Sequence, residues 1–269
     1  MATPHALEFR MKIVTWNVNS IRARLGQVLE WMDRTQPDVV CMQETKVEDS
    51  DFPTEEFQRI GYGVAISGQK TYNGVAIATS RVLMDVQSGL LGAAPEDDKR
   101  LLAVTIKGVR IYSAYVPNGK GVEHPDFEKK KRWLADFKHT VADDIARGRA
   151  KKGVVLCGDY NIAPEERDVY DVEAMRGQLH FHPDEHAALH DLMSLGLVDA
   201  FRLHNQEGGL YSWWDYRAGM FRRNLGLRID LILLSEQLKE RCTAAHIDKT
   251  VRKQAKPSDH APVVVELDL

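Results

Sequence analysis

The chain has 269 residues, of which 43% are hydrophobic, and a formal net charge of −3 at pH 7. This length and composition predict one folded domain over residues 1–269, with residues 1–10 as a flexible N-terminal segment. No run approaches the roughly 18 apolar residues that a membrane span needs, and the first residues lack the apolar core of a secretory signal. These absences predict a cytoplasmic protein without membrane contact. No Cys-x-x-Cys pair is present, which disfavours a structural zinc site and predicts buried, reduced thiols at Cys41, Cys157 and Cys242.

The predicted elements begin with a strand, a helix and a second strand. A buried strand is predicted over 12–16 and another over 39–42. Between them, apolar residues recur at helical spacing at Ile21, Leu25, Val28, Leu29 and Met32. Further strands are predicted over 74–78, 101–106, 110–116, 154–157, 229–234 and 262–267, and helices over 126–147 and 184–195. Strands outnumber helices, which favours an α/β sandwich of sheets packed face to face, with helices outside, over a doubly wound parallel sheet.

Several predicted strands begin or end at a polar residue that can hold a metal ion or transfer a proton. These residues are Asn17, Glu44, Tyr115, Asp159, Asn161 and Asp230, and the pair Asp259 and His260 precedes the last strand. Ligands in α/β proteins often lie beyond strand ends, so we expect these segments to converge at one edge. A single Asp or Asn at such a position usually only caps a turn. The whole set, however, is the oxygen-rich mixture that Mg²⁺ or Mn²⁺ prefers, and it disfavours zinc.

This set supplies each part that phosphodiester cleavage needs: a cation site, a base for water, and donors for the phosphate oxygens. Glu44 follows a buried strand and is the best metal ligand. Asn17 would help to orient or hydrate the bound metal ion. Asp159 and Asn161 are separated by one residue, so on an extended backbone both would point the same way. One would then activate water while the other holds the phosphate.

Asp230 and His260 suggest a carboxylate that orients an imidazole and favours its charged form beside a phosphate. A histidine that is merely buried with a satisfied hydrogen bond is the alternative interpretation of His260. The motif Ser258-Asp259-His260 follows a proline and precedes a strand, which is typical of an exposed turn. We therefore favour a functional His260.

Six motifs follow one another in order across nearly the whole chain. They are Trp16-Asn17, Gln43-Glu44-Thr45-Lys46, Tyr115-Val116-Pro117-Asn118, Gly158-Asp159-Tyr160-Asn161, Arg228-Ile229-Asp230 and Ser258-Asp259-His260. Together with residues 196–202 and 212–217, they resemble exonuclease III and the bacterial members of its AP endonuclease family. The resemblance implies a four-layered α/β sandwich with two mixed sheets, the endonuclease/exonuclease/phosphatase fold. It also implies a monomeric enzyme that uses Mg²⁺, with Mn²⁺ as a substitute, to cut duplex DNA 5′ to abasic sites and to trim 3′ ends or 3′ blocking groups.

The resemblance also implies a role for each site residue. Glu44 would bind the metal with Asn17 close by, and Asp259 would lie near a second metal position or the leaving oxygen. Asp159 would act as the water-activating base or as a proton carrier. The other implied roles are transition-state stabilisation by Asn161, phosphate contact by Tyr115 and Asn118, and orientation of His260 by Asp230. The metal set is then Asn17, Glu44, Asp159, Asn161, Asp259 and His260.

A second set of residues is expected to contact the DNA outside the reaction centre. Trp213 is the expected aromatic wall for the extruded sugar, with an ordinary core tryptophan as the alternative. Residues 162–183 are expected to press on one groove of the DNA. Asn19 and Leu227 stand where animal members carry an aspartate and a tryptophan, which agrees with the bacterial branch. The predicted contacts to backbone phosphates are Arg22, Lys46, Arg100, Lys120 and Arg217.

Basic stretches elsewhere are further candidates for a DNA-facing surface. They are residues 129–132, residues 147–152, and the set Arg217, Arg222, Arg223 and Arg228. Such stretches are more often a solvated surface than a ligand site.

Two other functions compete with DNA repair. Inositol-phosphate phosphatases, sphingomyelinases and general deoxyribonucleases share the Glu, Asp-x-Asn and Asp-His elements of this fold. The segment around Trp213 and the motif at 43–46 favour a repair nuclease over these. A DNA-binding or scaffold protein without catalysis is the alternative from a different class, and the intact set of polar positions argues against it.

Overall fold

Twelve β-strands and seven α-helices form the fold in a computed structural model that describes residues 9–269. The strands are β1 (Arg10–Asn17), β2 (Val39–Gln43), β3 (Gly63–Ser67), β4 (Val75–Thr79), β5 (Met84–Ser88), β6 (Leu101–Ile106), β7 (Val109–Tyr115), β8 (Val154–Asp159), β9 (Leu197–Asp199), β10 (Asp230–Ser235), β11 (Cys242–Ile247) and β12 (Val263–Asp268). The α-helices are α1 (Ile21–Thr35), α2 (Thr54–Arg59), α3 (Pro125–Ala146), α4 (Val172–Met175), α5 (Pro183–Met193), α6 (Ala200–His204) and α7 (Glu236–Lys239).

The strands form two mixed sheets of six strands each. The first has the order β11-β12-β1-β2-β4-β3, and the second has the order β5-β6-β7-β8-β10-β9. In each sheet one pair of neighbours is parallel, β1 with β2 and β7 with β8, and the other pairs are antiparallel. The prediction of mixed sheets is therefore confirmed.

Alternation along the strands separates an inner core from two outer ones. Ile13 of β1 packs between the two sheets, whereas its neighbour Val14 packs under the helices. The inner core joins side chains of both sheets, for example Cys41 of β2 and Cys157 of β8. All three cysteines are buried and free, as predicted. Strands buried on both faces explain the nearly continuous apolar runs in the sequence.

Helices cover the outer face of each sheet, which completes four layers. Trp31 and Met32 of α1 pack on the first sheet, and Phe137 of α3 and Leu189 of α5 pack on the second. Helix α3 begins where His124 caps the nitrogen of Asp126, and Pro125 occupies the first turn without losing a hydrogen bond. The predicted helix over 126–147 is thus confirmed within one residue at each end.

Four strands were absent from the sequence prediction: β3, β5, β9 and β11. Strand β5 is largely exposed and has Asp85 at a φ of 49°, so it carries neither alternation nor an apolar run. Strand β9 has only three residues. All four lie at the edges of the two sheets, where less burial makes the apolar pattern of the sequence weaker.

The two ends of the described chain lie side by side. The backbone of Phe9 pairs with that of Leu269, and Arg10 begins β1 opposite Asp268. Residues 1–8 of the segment predicted to be flexible lie outside the described residues. In the part that the structure describes, no helix is long and apolar enough to cross a membrane.

Candidate active site

Strand directions bring the predicted site residues to one edge of the sandwich. The parallel neighbours β1 and β2 end at Asn17 and Gln43, and β7 and β8 end at Tyr115 and Asp159. Strands β10 and β12 run antiparallel to β8 and β1, so they begin at that same edge. The expected convergence of the strand-end residues is therefore what the topology produces.

Asn17 joins the two sheets at this edge. Its side-chain amide donates to Glu44 Oε1 at 2.8 Å and to Asp159 Oδ2 at 2.9 Å. Its amide oxygen accepts the backbone N–H of Asn19 at 2.9 Å. Asn17 therefore orients both carboxylates through its amide nitrogen, and its oxygen keeps one lone pair beyond the contact with Asn19.

Three of the four predicted metal ligands with ionisable side chains come together, and Asn17 is hydrogen-bonded to two of them. One ligand atom from each of Glu44, Asp159 and His260 lies within 4.8 Å of the others. Glu44 is held at the mouth of the site with its side chain 19% exposed. Burial alone would raise the pKa of Glu44, but the charge of Lys46 and the amide of Asn17 lower it overall, so this carboxylate is ionised.

His260 lies between two carboxylates. Its Nδ1 is 2.9 Å from Asp230 Oδ2, and its Nε2 is 3.7 Å from Asp159 Oδ2. Burial opposes the charged ring, but Asp230 and then Asp159 raise the pKa of His260 to about 10. The predicted Asp230–His260 contact is thus present. The expected exposed turn is wrong, because His260 and Ser258 are buried and Ser258 Oγ donates to the carbonyl of Asn17 at 2.7 Å.

Asp159 is the group whose protonation is most finely balanced. Burial raises its pKa to about 7, and the neighbouring charge of Asp230 adds to this, while His260 and the amide of Asn17 oppose it. A carboxylate poised near neutrality can take a proton from water and release it again.

Asn161 reaches the site through a turn and not along a strand. Strand β8 ends at Asp159, and Asn161 has a φ of 53° with its N–H donated to Asp159 Oδ1 at 2.9 Å. The expected extended backbone is therefore wrong, since an Asx-type turn brings the two side chains together. Asn118 Nδ2 donates to Asn161 Oδ1 at 3.1 Å, and Asn161 Nδ2 donates to the carbonyl of Val116 at 3.0 Å, so each of the two amides keeps one N–H for a ligand.

Tyr115 stands at the same edge as a phenol. Burial raises its pKa well above the ordinary value, and the nearby charges of Glu44 and Asp159 raise it further. The guanidinium carbon of Arg100 lies 4.8 Å from the centre of the Tyr115 ring. Tyr115 is consequently a hydrogen-bond donor at neutral pH, as a phosphate contact requires.

Asp259 holds the predicted aromatic wall. Its Oδ2 accepts the indole N–H of Trp213 at 3.0 Å, and its Oδ1 accepts from Asn19 at 2.9 Å. Lys46 donates to Asn19 Oδ1 at 2.6 Å and pairs with Glu44 at 2.8 Å. A hydrogen-bonded chain thus runs from Trp213 to Glu44, and both Asp259 oxygens are engaged within it.

The five predicted phosphate contacts all lie in ion pairs. Their carboxylate partners are Asp51 for Arg22, Glu44 for Lys46, Asp98 for Arg100, Asp126 for Lys120 and Asp215 for Arg217. Arg217 is the most exposed, at 88% of its side chain. Tyr115, Asn118 and Lys120 also line a groove of about 910 Å³ that leads away from the site.

Two predicted surface cations are instead buried. Arg228 is fully buried, where Asp168 and Asp199 balance its charge, and Arg202 also pairs with Asp168. Lys130, in the basic run at 129–132, is likewise fully buried against Glu185. The sequence around a basic residue does not show which carboxylate it pairs with, because that carboxylate lies far away in the chain.

His180 is a further residue at the site that the sequence did not single out. Its Nδ1 lies 2.6 Å from the carbonyl of Asn161, and its ring centre is 6.4 Å from that of Trp213. Burial lowers the pKa of His180 to about 3, so its ring is neutral. No motif marks it, since it lies within the irregular residues 162–183.

A two-sheet sandwich with paired carboxylates and a charged imidazole at one edge defines a class of phosphoesterases. Residues 14–260 match the Endonuclease/Exonuclease/phosphatase family, and the chain belongs to it.

Similar proteins lie within the exonuclease III and AP endonuclease branch of that family. Exodeoxyribonuclease III of Haemophilus influenzae is 33% identical, over 95% of this chain and 99% of the relative. A Neisseria 3′ phosphatase, NExo, solved with a product DNA hairpin, is 40% identical with a TM-score of 0.93, over 96% of this chain and 100% of the neighbour. An AP endonuclease from Archaeoglobus fulgidus is 39% identical with a TM-score of 0.91 over the same shares. The predicted family is therefore confirmed.

Proposed function

We propose that this protein is a magnesium-dependent DNA repair nuclease. It hydrolyses the phosphodiester bond 5′ to an abasic site in duplex DNA and removes nucleotides or blocking groups from 3′ ends. The observation that carries this proposal is the cluster of Glu44, Asp159 and His260 at the edge where both sheets meet. The similarity to exodeoxyribonuclease III and to an AP endonuclease supports the choice of DNA as the substrate.

The donor set fits a hard divalent cation. Glu44 and Asp159 offer carboxylate oxygens, and no cysteine takes part in the cluster. His260 is held in its charged form by Asp230, and an imidazolium has no lone pair for a metal, so Glu44 is the principal ligand. When bound, Mg²⁺ would neutralise charge that develops on the phosphate, and Mn²⁺ would serve in its place.

The surrounding side chains act on the water and the phosphate. Water attacks phosphorus while its proton passes to Asp159, and the bond from phosphorus to the leaving O3′ breaks. That oxygen takes up a proton and becomes the 3′ hydroxyl, and the phosphate stays on the abasic sugar. The imidazolium of His260 and the amide of Asn161 donate to the nonbridging oxygens as their charge grows.

Residues beside the cluster position the DNA. Tyr115 and Asn118 contact the phosphate, and Trp213, fixed through Asp259, forms the wall against the extruded sugar. Residues 162–183 press on one groove. Arg22, Lys46, Arg100, Lys120 and Arg217 are the contacts to the DNA backbone. Each would exchange its carboxylate partner for a phosphate, at little cost where the pair is exposed.

Removal of 3′ groups is a second activity of the same site. The similarity to a 3′ phosphatase over the whole neighbouring chain favours it. A terminal 3′ phosphate presents the same phosphorus to the same water, but it requires no extruded sugar. The two activities thus differ in their dependence on Trp213. We expect both from a cytoplasmic monomer, whose mass light scattering would measure.

The test uses three labelled duplexes: one with an internal abasic analogue, one with a 3′ phosphate, and one intact. Each is incubated with Mg²⁺, with Mn²⁺ or with EDTA, and the products are separated on a denaturing gel. We expect one metal-dependent break 5′ to the analogue and loss of the 3′ phosphate. Cleavage in neither metal, or faster hydrolysis of an inositol phosphate than of DNA, would refute the proposal.

A further inference from the structure

The ammonium of Lys130 lies beneath the two loops that carry the phosphate-contacting amides. Lys130 comes from α3, on the outer layer, and is fully buried. Its Nζ donates to the carbonyl of Asn161 at 2.7 Å, to that of Asn118 at 3.3 Å, and to Glu185. An ammonium has three hydrogens, so its donor capacity is used completely.

Glu185 extends this contact to a third segment. It lies in the first turn of α5, and its second oxygen accepts the backbone N–H of His182 at 3.1 Å. His180, two residues earlier, binds the same Asn161 carbonyl as Lys130 does. The buried Lys130–Glu185 pair therefore hydrogen-bonds to three segments: residues 118–121, residues 160–163 and the end of the 162–183 segment.

The two loops need such support because neither has sheet hydrogen bonds at these positions. Asn161 has a φ of 53°, a left-handed conformation that is unfavourable for most residues, and Lys120 has a φ of 59°. Burying an ammonium and a carboxylate is also costly unless their hydrogen bonds are satisfied, and a well-packed apolar pair of similar volume is often no less stable. Stability alone does not account for the choice of charged residues here.

We propose that Lys130 is a positioning residue that holds the backbone of Asn118 and Asn161 so that their side-chain amides face the reacting phosphate. Lys130 does not touch the substrate; it acts through the two carbonyls. The catalytic part of this inference rests on the proposed nuclease function, whereas the effect on the loops can be measured without it.

The test compares two double variants that remove one buried ion pair each. Lys130→Met with Glu185→Gln keeps volume and removes the donors to both carbonyls. The control, Arg110→Met with Asp144→Asn, removes an equally buried pair that also joins α3, with an Nε to Oδ2 distance of 2.7 Å. Arg110 lies five residues from Tyr115 on β7, about 17 Å away by strand rise.

The first readout is hydrogen exchange at residues 118–121 and 161–163. We expect exchange there to be about tenfold faster or more in the Lys130 variant and unchanged in the control, at matched thermal stability. Equal exchange in the native protein and the Lys130 variant, or equal acceleration in both variants, would overturn the proposal. This comparison stands even if the native protein cleaves no DNA.

The second readout is turnover of the native substrate. The Lys130 variant should lose about 10- to 100-fold in kcat with KM within about threefold, because misplaced amides affect the transition state more than binding. The Arg110→Met, Asp144→Asn control should keep kcat within about threefold, because Lys130 still donates to both carbonyls. An unchanged kcat in the Lys130 variant would also overturn the proposal, whereas an inactive native protein would refute the proposed function instead.

Discussion

At the scale of single residues, Asp159 and His260 are both buried, but their protonation at neutral pH differs because different charges surround them. Burial acts against the charge of both, but His260 faces several carboxylates and stays protonated, with a pKa raised to about 10. Asp159 faces Glu44 and Asp230 as well as one imidazolium, and its pKa rises to about 7. The site therefore holds one fixed cation and one carboxyl group that exchanges its proton near neutral pH.

Asp159→Asn should abolish cleavage while leaving the affinity for DNA within about threefold, because an amide cannot accept the proton of water. The measurement is turnover of the abasic duplex beside binding of the same duplex in EDTA. The Glu56→Gln variant, which alters a partly exposed carboxylate outside the site, provides a control with the catalytic carboxylate intact. Retained cleavage would remove Asp159 from its role as base.

The same substitution should stabilise the metal-free protein at alkaline pH. The folded pKa of Asp159, about 7, exceeds its unfolded value, so its contribution to stability is full below about pH 4 and is lost as pH rises through 7. In EDTA at about pH 8, Asp159→Asn should raise the free energy of unfolding, because the raised pKa of Asp159, which already includes the attraction to His260, makes its ionised form unfavourable in the folded protein. Urea denaturation at about pH 4 and 8 measures this, and a gain that does not grow with pH would contradict it.

Glu44 and Asp259 should differ in their effect on the metal requirement. Glu44→Gln should raise the magnesium concentration for half-maximal activity by about tenfold or more, whereas Asp259→Asn should shift it by less than about threefold. The reason is that both Asp259 oxygens already bind Asn19 and Trp213. Titration of activity with MgCl₂ makes the comparison, and a large shift for Asp259→Asn would restore its predicted role as a ligand.

At this scale, contacts between strand ends were predictable from the sequence, whereas buried ion pairs and turn conformations were not. The sequence pairs Asp230 with His260 because both lie next to strands, and the structure places them 2.9 Å apart. The sequence predicts surface positions for Lys130 and Arg228, which are wrong because each is buried against a carboxylate that is distant in sequence. The turn at Asn161 was missed because its left-handed φ depends on contacts with Asn118, Lys130 and His180.

At the scale of elements, one buried network fixes the irregular segment beside the site. Asp168, in residues 162–183, binds Arg228 Nε at 2.6 Å and Nη2 at 2.9 Å, and it also binds Arg202 of α6. Arg228 lies two residues before the first residue of β10, Asp230. The network therefore sets where residues 162–183 lie relative to the catalytic strands.

Asp168→Asn should lower the free energy of unfolding by about 3–5 kcal/mol, because it leaves buried guanidinium groups with too little negative charge. Urea denaturation at neutral pH is the measurement. Glu56→Gln, which breaks the largely exposed pair with Arg59, should cost less than about 1 kcal/mol and serves as the control. Equal effects of the two substitutions would show that the Asp168 network contributes little.

Element prediction followed burial closely. Strands such as β2 and β6, with every residue buried, appear in the sequence as apolar runs, and the helix predicted over 126–147 matches α3. Edge strand β5 is largely exposed and has no such run. The order of the strands within the sheets has no local signal and is not predicted from the sequence.

At the scale of the whole molecule, a chain with a net charge of −3 must bind a polyanion through a few placed cations. The predicted phosphate contacts are already paired with carboxylates, and three of them, Arg22, Lys120 and Arg217, are well exposed. Salt weakens such pairs and phosphate contacts alike, so DNA binding should depend on ionic strength with a moderate slope.

Replacing Arg22 with Gln should weaken binding similarly on every DNA sequence and lower the salt slope of log Kd by about one unit. Fluorescence anisotropy at several salt concentrations in EDTA measures the slope. Arg59→Gln, which removes another largely exposed arginine, should leave it unchanged. An unchanged slope for Arg22→Gln would remove Arg22 from the DNA interface.

The position of β12 has a consequence for the protein's synthesis. This strand lies between β1 and β11, and His260 comes just before it, so the chain closes its first sheet with residues made late in translation. A nascent chain that has already formed β5 to β10 still lacks the imidazolium beside Asp159. We therefore expect a ribosome-bound fragment that ends before His260 to cleave no DNA, even after β5 to β10 have formed the second sheet.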